Sequence, residues 1–246
     1  MEYIVFLVLG FIAINQGAEL PSSFKICKQS DPNLSACVDE AAVQAIESMA
    51  NGIPGLNVAP VEPLLIEHMS IGQSGNVVSL EQNYQNIKVY GLSKGIKVSN
   101  YEIDFDKLIF KSDSINPQID FVADCKIDGK LLVLHLHGSG PCNITMKNLQ
   151  SKNVYYGEKY EKDGETYMKI KKFVVKFIPE KVILDFERLF EQNSFFSTQI
   201  NSILNTNSDL LFKELKGSYE DTFSKVFAKI ANDVFSQVPF RKIFPD

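Results

Sequence analysis

The chain has 246 residues, with hydrophobic residues at 45% and charged residues at 22%. That is enough for one large domain or two small ones, and the composition excludes a wholly disordered chain. The formal net charge is −5 and there is no long basic run, which argues against nucleic-acid binding, because that needs clustered cations to displace counterions.

The first element is an apolar run from Tyr3 to Ile14, YIVFLVLGFIAI. It is shorter than the roughly 20 residues of a membrane helix. Small residues follow at Gly17 and Ala18. Residues 1–18 therefore read as a signal peptide, although Glu2 stands where a basic residue is usual. The other reading is a buried N-terminal strand or an uncleaved anchor. Cleavage leaves residues 19–246 as one secreted domain with no stable membrane anchor.

Export changes the meaning of the four cysteines, Cys27, Cys37, Cys125 and Cys142, since an even count in an exported chain suggests disulfides. Local pairing closes the shortest loops. Cys27 and Cys37 flank a turn at Asp31-Pro32-Asn33, and a bridge there constrains the unfolded chain by roughly 3 kcal/mol. Asp128-Gly129 reads as a two-residue hairpin turn. On that register Cys125 faces about Leu132, so bonding to Cys142 requires the chain to fold back at Gly138–Pro141. Two buried thiols are the alternative. Asn33-Leu34-Ser35 and Asn143-Ile144-Thr145 are possible glycosylation triplets, which would place Asn33 and Asn143 at the surface.

Leu34 to Ala50 has helical spacing through Ala41, Ala42, Ala45, Ile46 and Met49, and Gly52 and Pro54 stop it. From Val58 to about Phe190 the pattern is strand-like. The clearest alternation is Ile119, Phe121, Ala123, Cys125 and Ile127, and Leu132, Leu134 and Leu136 continue it. The apolar face changes parity between Val98 and Tyr101, which predicts a bulge. Asp163-Gly164 predicts a second hairpin turn. From about Asn207 to Val238 the helical period returns, with Leu211, Leu215, Tyr219, Phe223, Val226, Ile230 and Val234 on one stripe. The polar residues, Glu220 among them, lie mainly off it. Twelve of the 18 phenylalanines lie from Phe173 onward, so this third of the chain has much apolar surface to hide. A helix of roughly 30 residues spans about 45 Å, and only the strands are large enough to cover it. The fold class is α+β, a highly curved antiparallel β-sheet wrapped around a long C-terminal α-helix, with a short N-terminal helix.

No catalytic set emerges. Gly72-Gln73-Ser74-Gly75-Asn76 misses the G-x-S-x-G elbow at its last position. His135 and His137 share one strand face, but a zinc site needs a third ligand and nothing places His68 beside them. No metal or other cofactor is therefore expected. Gly138-Ser139-Gly140 is too short for a phosphate-binding fingerprint.

Six blocks, taken together and in order, resemble the takeout / haemolymph juvenile-hormone-binding protein family of insects. They are LPSSFKICKQSDPNLSAC at Leu20–Cys37, GIPGLNVAPVEPLLIEHMSI at Gly52–Ile71, YQNIKVYGLS at Tyr84–Ser93, DGKLLVLHLHGSG at Asp128–Gly140, LFEQNSFFSTQINSILNTNSDLL at Leu189–Leu211, and the ending IANDVFSQVPFRKIFPD. The resemblance implies the tubular lipid-binding architecture, an internal hydrophobic tunnel, and a non-catalytic secreted carrier of a terpenoid or other lipid. It also implies that Cys27 and Cys37 bridge the N-terminal arm. His135 departs from the family's usual proline, and Cys125 and Cys142 are not part of its general pattern.

On that reading the tunnel walls are Phe121, Leu132 and Leu134 from strands and Leu211, Leu215, Tyr219, Phe223, Val226 and Ile230 from the long helix. The competing reading of each is plain core. Burying about 300 Å² of ligand supplies roughly 7 kcal/mol before association costs. The expected partner is a small hydrophobic ligand, with a monomer as the simplest state. The alternatives are a membrane-surface or immune lipid binder of the same fold, or a secreted lipid esterase using Ser74.

Overall fold

Two strands form the spine of the molecule, and each is too long for a single neighbour. They are β4 (Ile109–Leu131) and β5 (Leu134–Lys162). β4 carries β2 (Val78–Tyr90) along its C-terminal half and β3 (Lys97–Asp104) along its N-terminal half. β5 carries β6 (Glu165–Ile178) and β7 (Lys181–Asp185) end to end in the same way. β1 (Leu64–Ser74) adds to β2, giving an antiparallel seven-stranded sheet. This computed structural model describes residues 18–75, 77–186, 189 and 194–246. Residues 1–17 of the signal-peptide segment lie outside the described residues, as does part of the LFEQN block.

The sheet bends because its strands are interrupted. Pairing shifts between Gln85 and Lys88, between Ser99 and Glu102, and between Tyr156 and Gly157. Asn86, Asn100 and Asn148 take positive φ of 53°, 58° and 44°, a region asparagine tolerates better than most residues. Such bulges turn the strand and increase its twist. The parity change read at Val98–Tyr101 is the second of these. In β4 the inward parity itself switches, from Phe110, Ser112, Ser114 and Asn116 to Ile119, Phe121, Ala123, Cys125 and Ile127.

Among the described residues four α-helices complete the fold: α1 (Leu34–Ser48), α2 (Ser194–Thr206), α3 (Ser208–Phe235) and the single turn α4 (Phe240–Ile243). α3 has 28 residues, about 42 Å of helix. Leu211, Leu215, Tyr219 and Phe223 are buried on it, and Val226, Phe227 and Ile230 pack against the same core. Glu220 departs from the sequence expectation, because it is buried. Its carboxylate accepts from the Phe177 backbone N–H at 2.9 Å and from Lys176 Nζ at 2.7 Å. Ser224 Oγ accepts from the Val175 N–H, and Asn232 exchanges two hydrogen bonds with the Ile170 backbone. The helix thus satisfies the open edge of β6 with side chains, one way a protein blunts an edge strand. Asn201 and Asn205 of α2 do the same for β7 at Phe186 and Leu184.

The second hairpin turn sits at Asp163-Gly164, with φ of 53° and 78°. The first does not sit at Asp128-Gly129. Those residues pair with His137 and Leu136 inside the β4–β5 ladder, and the tip is Leu132-Val133. Gly129 serves another need: a Cβ there would run into the Ser79 carbonyl oxygen of β2. Moving the turn repairs the cysteine register. Cys125 now faces Gly140 and Cys142 faces Ala123. The two cysteines are diagonal neighbours, joined in a disulfide with Cα atoms 6.0 Å apart, and no fold-back is needed. Cys27 and Cys37 form the other disulfide, Cα to Cα 5.9 Å. It fastens the N-terminal arm to the first turn of α1.

Candidate ligand-binding cavity

The inward faces of the sheet and of α1 and α3 pack together at their margins but do not fill the space they enclose. Between them lies a cavity of about 370 Å³, within the size range of small-molecule sites. Side-chain size explains the gap. α1 turns Ala41, Ala42 and Ala45 towards it, and a methyl group cannot span the distance that Leu or Phe would. Opposite stand Phe223, Phe227 and Ile230 of α3, and Ile119, Phe121, Ile144 and Leu149 of the two spine strands. Aromatic rings frame one end. Tyr155 stacks on Phe110 at 4.8 Å and on Phe173 at 5.4 Å between centroids.

A second void of about 40 Å³ lies beside it, lined by Leu80, Ile127, Leu136, Leu204, Leu211 and Leu215 among others. Tyr219, Ile144 and Met146 border both spaces, so they form the partition. A buried polar cluster fixes Tyr219 there. Its hydroxyl donates to Gln82 Oε1 at 2.7 Å, and the Tyr84 hydroxyl reaches the same oxygen. The two phenol oxygens are 2.5 Å apart. Burial pushes the Tyr219 phenol well above its usual range; burial and then the neighbouring Tyr219 do the same to Tyr84. Both are neutral hydroxyls under ordinary conditions, so no charge sits in the partition. Tyr101 also lines the main cavity, and burial, followed by nearby Asp39, raises its phenol in the same way.

The structure distributes the nine expected wall residues unevenly. Phe121, Tyr219, Phe223 and Ile230 line the main cavity. Leu211 and Leu215 line the small void instead. Val226 and Leu134 pack against the core and border neither space. Leu132 is a correction. It was expected on the inward face, but the displaced turn puts it at the hairpin tip, 47% exposed with φ of 54°. Sequence reading missed the α1 contribution, because an alanine stripe carries little hydrophobic signal. It also missed Ser112, Ser114, Asn116, Ser151 and Asn153, polar residues that line the cavity.

Other candidate sites stay scattered. His135 and His137 lie on the outer face of β5, where His137 Nδ1 is 3.1 Å from Asp128 Oδ1. His68 is exposed on β1. No group of three metal-ligating residues occurs among the described residues. Ser74 ends β1, but its side chain and Asn76 lie outside the described residues. Asn33 is exposed at the start of α1. Asn143, expected at the surface, is only half-exposed: β4 and β7 flank it, and its Oδ1 is enclosed without a partner.

The fold has a solved counterpart and the sequence has relatives. Takeout 1 of Epiphyas postvittana superposes with a TM-score of 0.80 at 22% identity, covering 90% of this chain and all of that one. The circadian clock-controlled protein daywake of Drosophila melanogaster is 24% identical over 232 residues, 91% of this chain and 88% of that protein. The juvenile hormone-binding protein of Manduca sexta is 26% identical over 142 residues, 57% of this chain and 55% of that protein. The model of the haemolymph juvenile hormone binding protein family matches residues 4–245. The chain belongs to the haemolymph juvenile hormone binding protein family.

Proposed function

We propose that the protein is a secreted carrier that holds one small hydrophobic ligand in the cavity between α1, α3 and the spine strands. The observation that carries this reading is the apolar void of about 370 Å³. Natural cores close to crystal-like density, and unfilled space of this size forfeits packing contacts on every wall. A resident ligand restores them. Phe121, Tyr219, Phe223 and Ile230, together with Ala45 of α1 and Phe227 of α3, are the proposed ligand contacts. Family membership supports the carrier role. Two disulfides and the apolar N-terminal run support an extracellular location.

The test is direct. Protein purified from a eukaryotic secretion host is extracted into organic solvent and the extract analysed by mass spectrometry. In parallel, the delipidated protein is titrated with the apolar fluorophore N-phenyl-1-naphthylamine. A co-purifying lipid, or saturable uptake at one site per chain, supports the carrier. An empty extract together with no uptake removes it.

A further inference from the structure

The cavity is not uniformly apolar. Along β4 its wall changes character at the parity switch. Ile119 and Phe121 line one half, whereas Ser112, Ser114 and Asn116 line the other. β5 matches this, because Ser151 pairs with Ser114 and Asn153 pairs with Ser112. Ser112, Ser114, Asn116 and Ser151 are all at least nine-tenths buried. Inward polar positions break the binary pattern of a sheet core, and natural proteins break it where function demands.

The polar groups are not equally engaged. Asn116 is occupied, donating to the carbonyl oxygens of Gly91 and Leu92 at 3.0 Å each. Asn153 Nδ2 donates to Ser114 Oγ at 3.2 Å. Among the described residues the hydroxyls of Ser112 and Ser151 have no hydrogen-bond partner, and both open onto the void. A hydroxyl that faces an open space without a protein partner keeps its donor and acceptor capacity for whatever fills that space. The charge balance is equally specific. Lys25 is the sole charged residue among the described lining residues, and it is held in an ion pair with Glu40. Among the described lining residues no unpaired cation awaits a carboxylate.

Building on the carrier reading, we propose that Ser112, Ser114, Ser151 and Asn153 form a head-group subsite for a neutral hydrogen-bonding group, such as an alcohol, ester or ketone. The ligand is an uncharged amphiphile. Its head lies on this patch on the α1 side, and its tail runs towards Phe121 and Tyr219. Two free hydroxyls can each donate to or accept from such a head, while a carboxylate would enter desolvated and uncompensated.

The experiment is displacement of bound N-phenyl-1-naphthylamine at pH 8 by dodecan-1-ol and by dodecanoate. The wild-type protein is compared with Ser112→Ala, Ser151→Ala and the double variant. Each lost hydrogen bond weakens dodecanol by about threefold, and the double variant by about tenfold. The fluorophore's own affinity stays unchanged, and dodecanol displaces better than dodecanoate in the wild type. The single variants keep the test valid should the double variant fail to fold. Dodecanol affinity unaltered in the variants, or dodecanoate equal to dodecanol in the wild type, overturns the subsite and leaves the carrier standing. No fluorophore uptake by the wild type removes both.

Discussion

The two ends of the interior are built from the same kind of wall and filled to different degrees. Around Leu204, Leu211 and Leu215 branched side chains from α2, α3 and the sheet interlock until only about 40 Å³ is left. On the α1 side the same α3 stripe continues through Phe223, Phe227 and Ile230, yet alanines face it and about 370 Å³ stays open. Patterning alone does not separate a core from a binding site here. The sizes of the residues on the opposing helix do, because dispersion contacts fall away within an ångström of gap. A further contrast is chemical. The packed end has a satisfied tyrosine–glutamine cluster, whereas at the open end the Ser112 and Ser151 hydroxyls have no partner among the described residues.

Each side of this comparison can be broken by substitution. The largest effect belongs to the packed end. Leu215→Ala removes a buried side chain and lowers unfolding free energy by about 3 kcal/mol, measured by urea denaturation. Fluorophore uptake in the main cavity survives, since Leu215 borders only the small void. If uptake disappears with it, the two spaces are one site.

The partition responds to alkali. The phenols of Tyr84, Tyr219 and Tyr101 are raised in the folded protein. The unfolded chain ionises near the ordinary tyrosine value of about 10 while the fold keeps its protons. Their stability contribution is therefore intact below about pH 10 and falls above it, by about 1.4 kcal/mol per pH unit for each tyrosine. Unfolding free energies measured from pH 9 to 11 should drop, and Tyr219→Phe should flatten the slope by one tyrosine's share.

The open end answers to filling. Ala45→Phe inserts a ring into existing space, so stability holds while fluorophore affinity falls about tenfold, or about 1.4 kcal/mol. A fall in stability without loss of uptake would place the ligand elsewhere.

Much of the scaffold was legible because it rests on local periodicity. The α1 helix, the α3 stripe, the alternation from Ile119 to Ile127, the bulge near Asn100 and the Asp163-Gly164 turn each follow from a few adjacent residues. Asp128-Gly129 misled because the same dipeptide that favours a tight turn also suits a close strand crossing. Only the neighbouring Ser79 backbone decides between them. The error carried Leu132 with it, since one turn sets the whole register of a hairpin. Glu220 was unreadable for a related reason. A carboxylate at that helical position looks solvated until the unpaired edge of β6 is brought against it.

The sequence by itself determined the α1 and α3 helices, the strand-like stretch between them, most of the apolar faces, and which family the ordered blocks resemble. Only the tertiary structure decided where those faces stop short of contact and which polar groups end up inside the gap. Periodicity is a property of neighbours along the chain. A void is set by the distance between residues far apart in sequence, Ala45 and Phe227 among them, and that distance exists only after the sheet has curled around the helix.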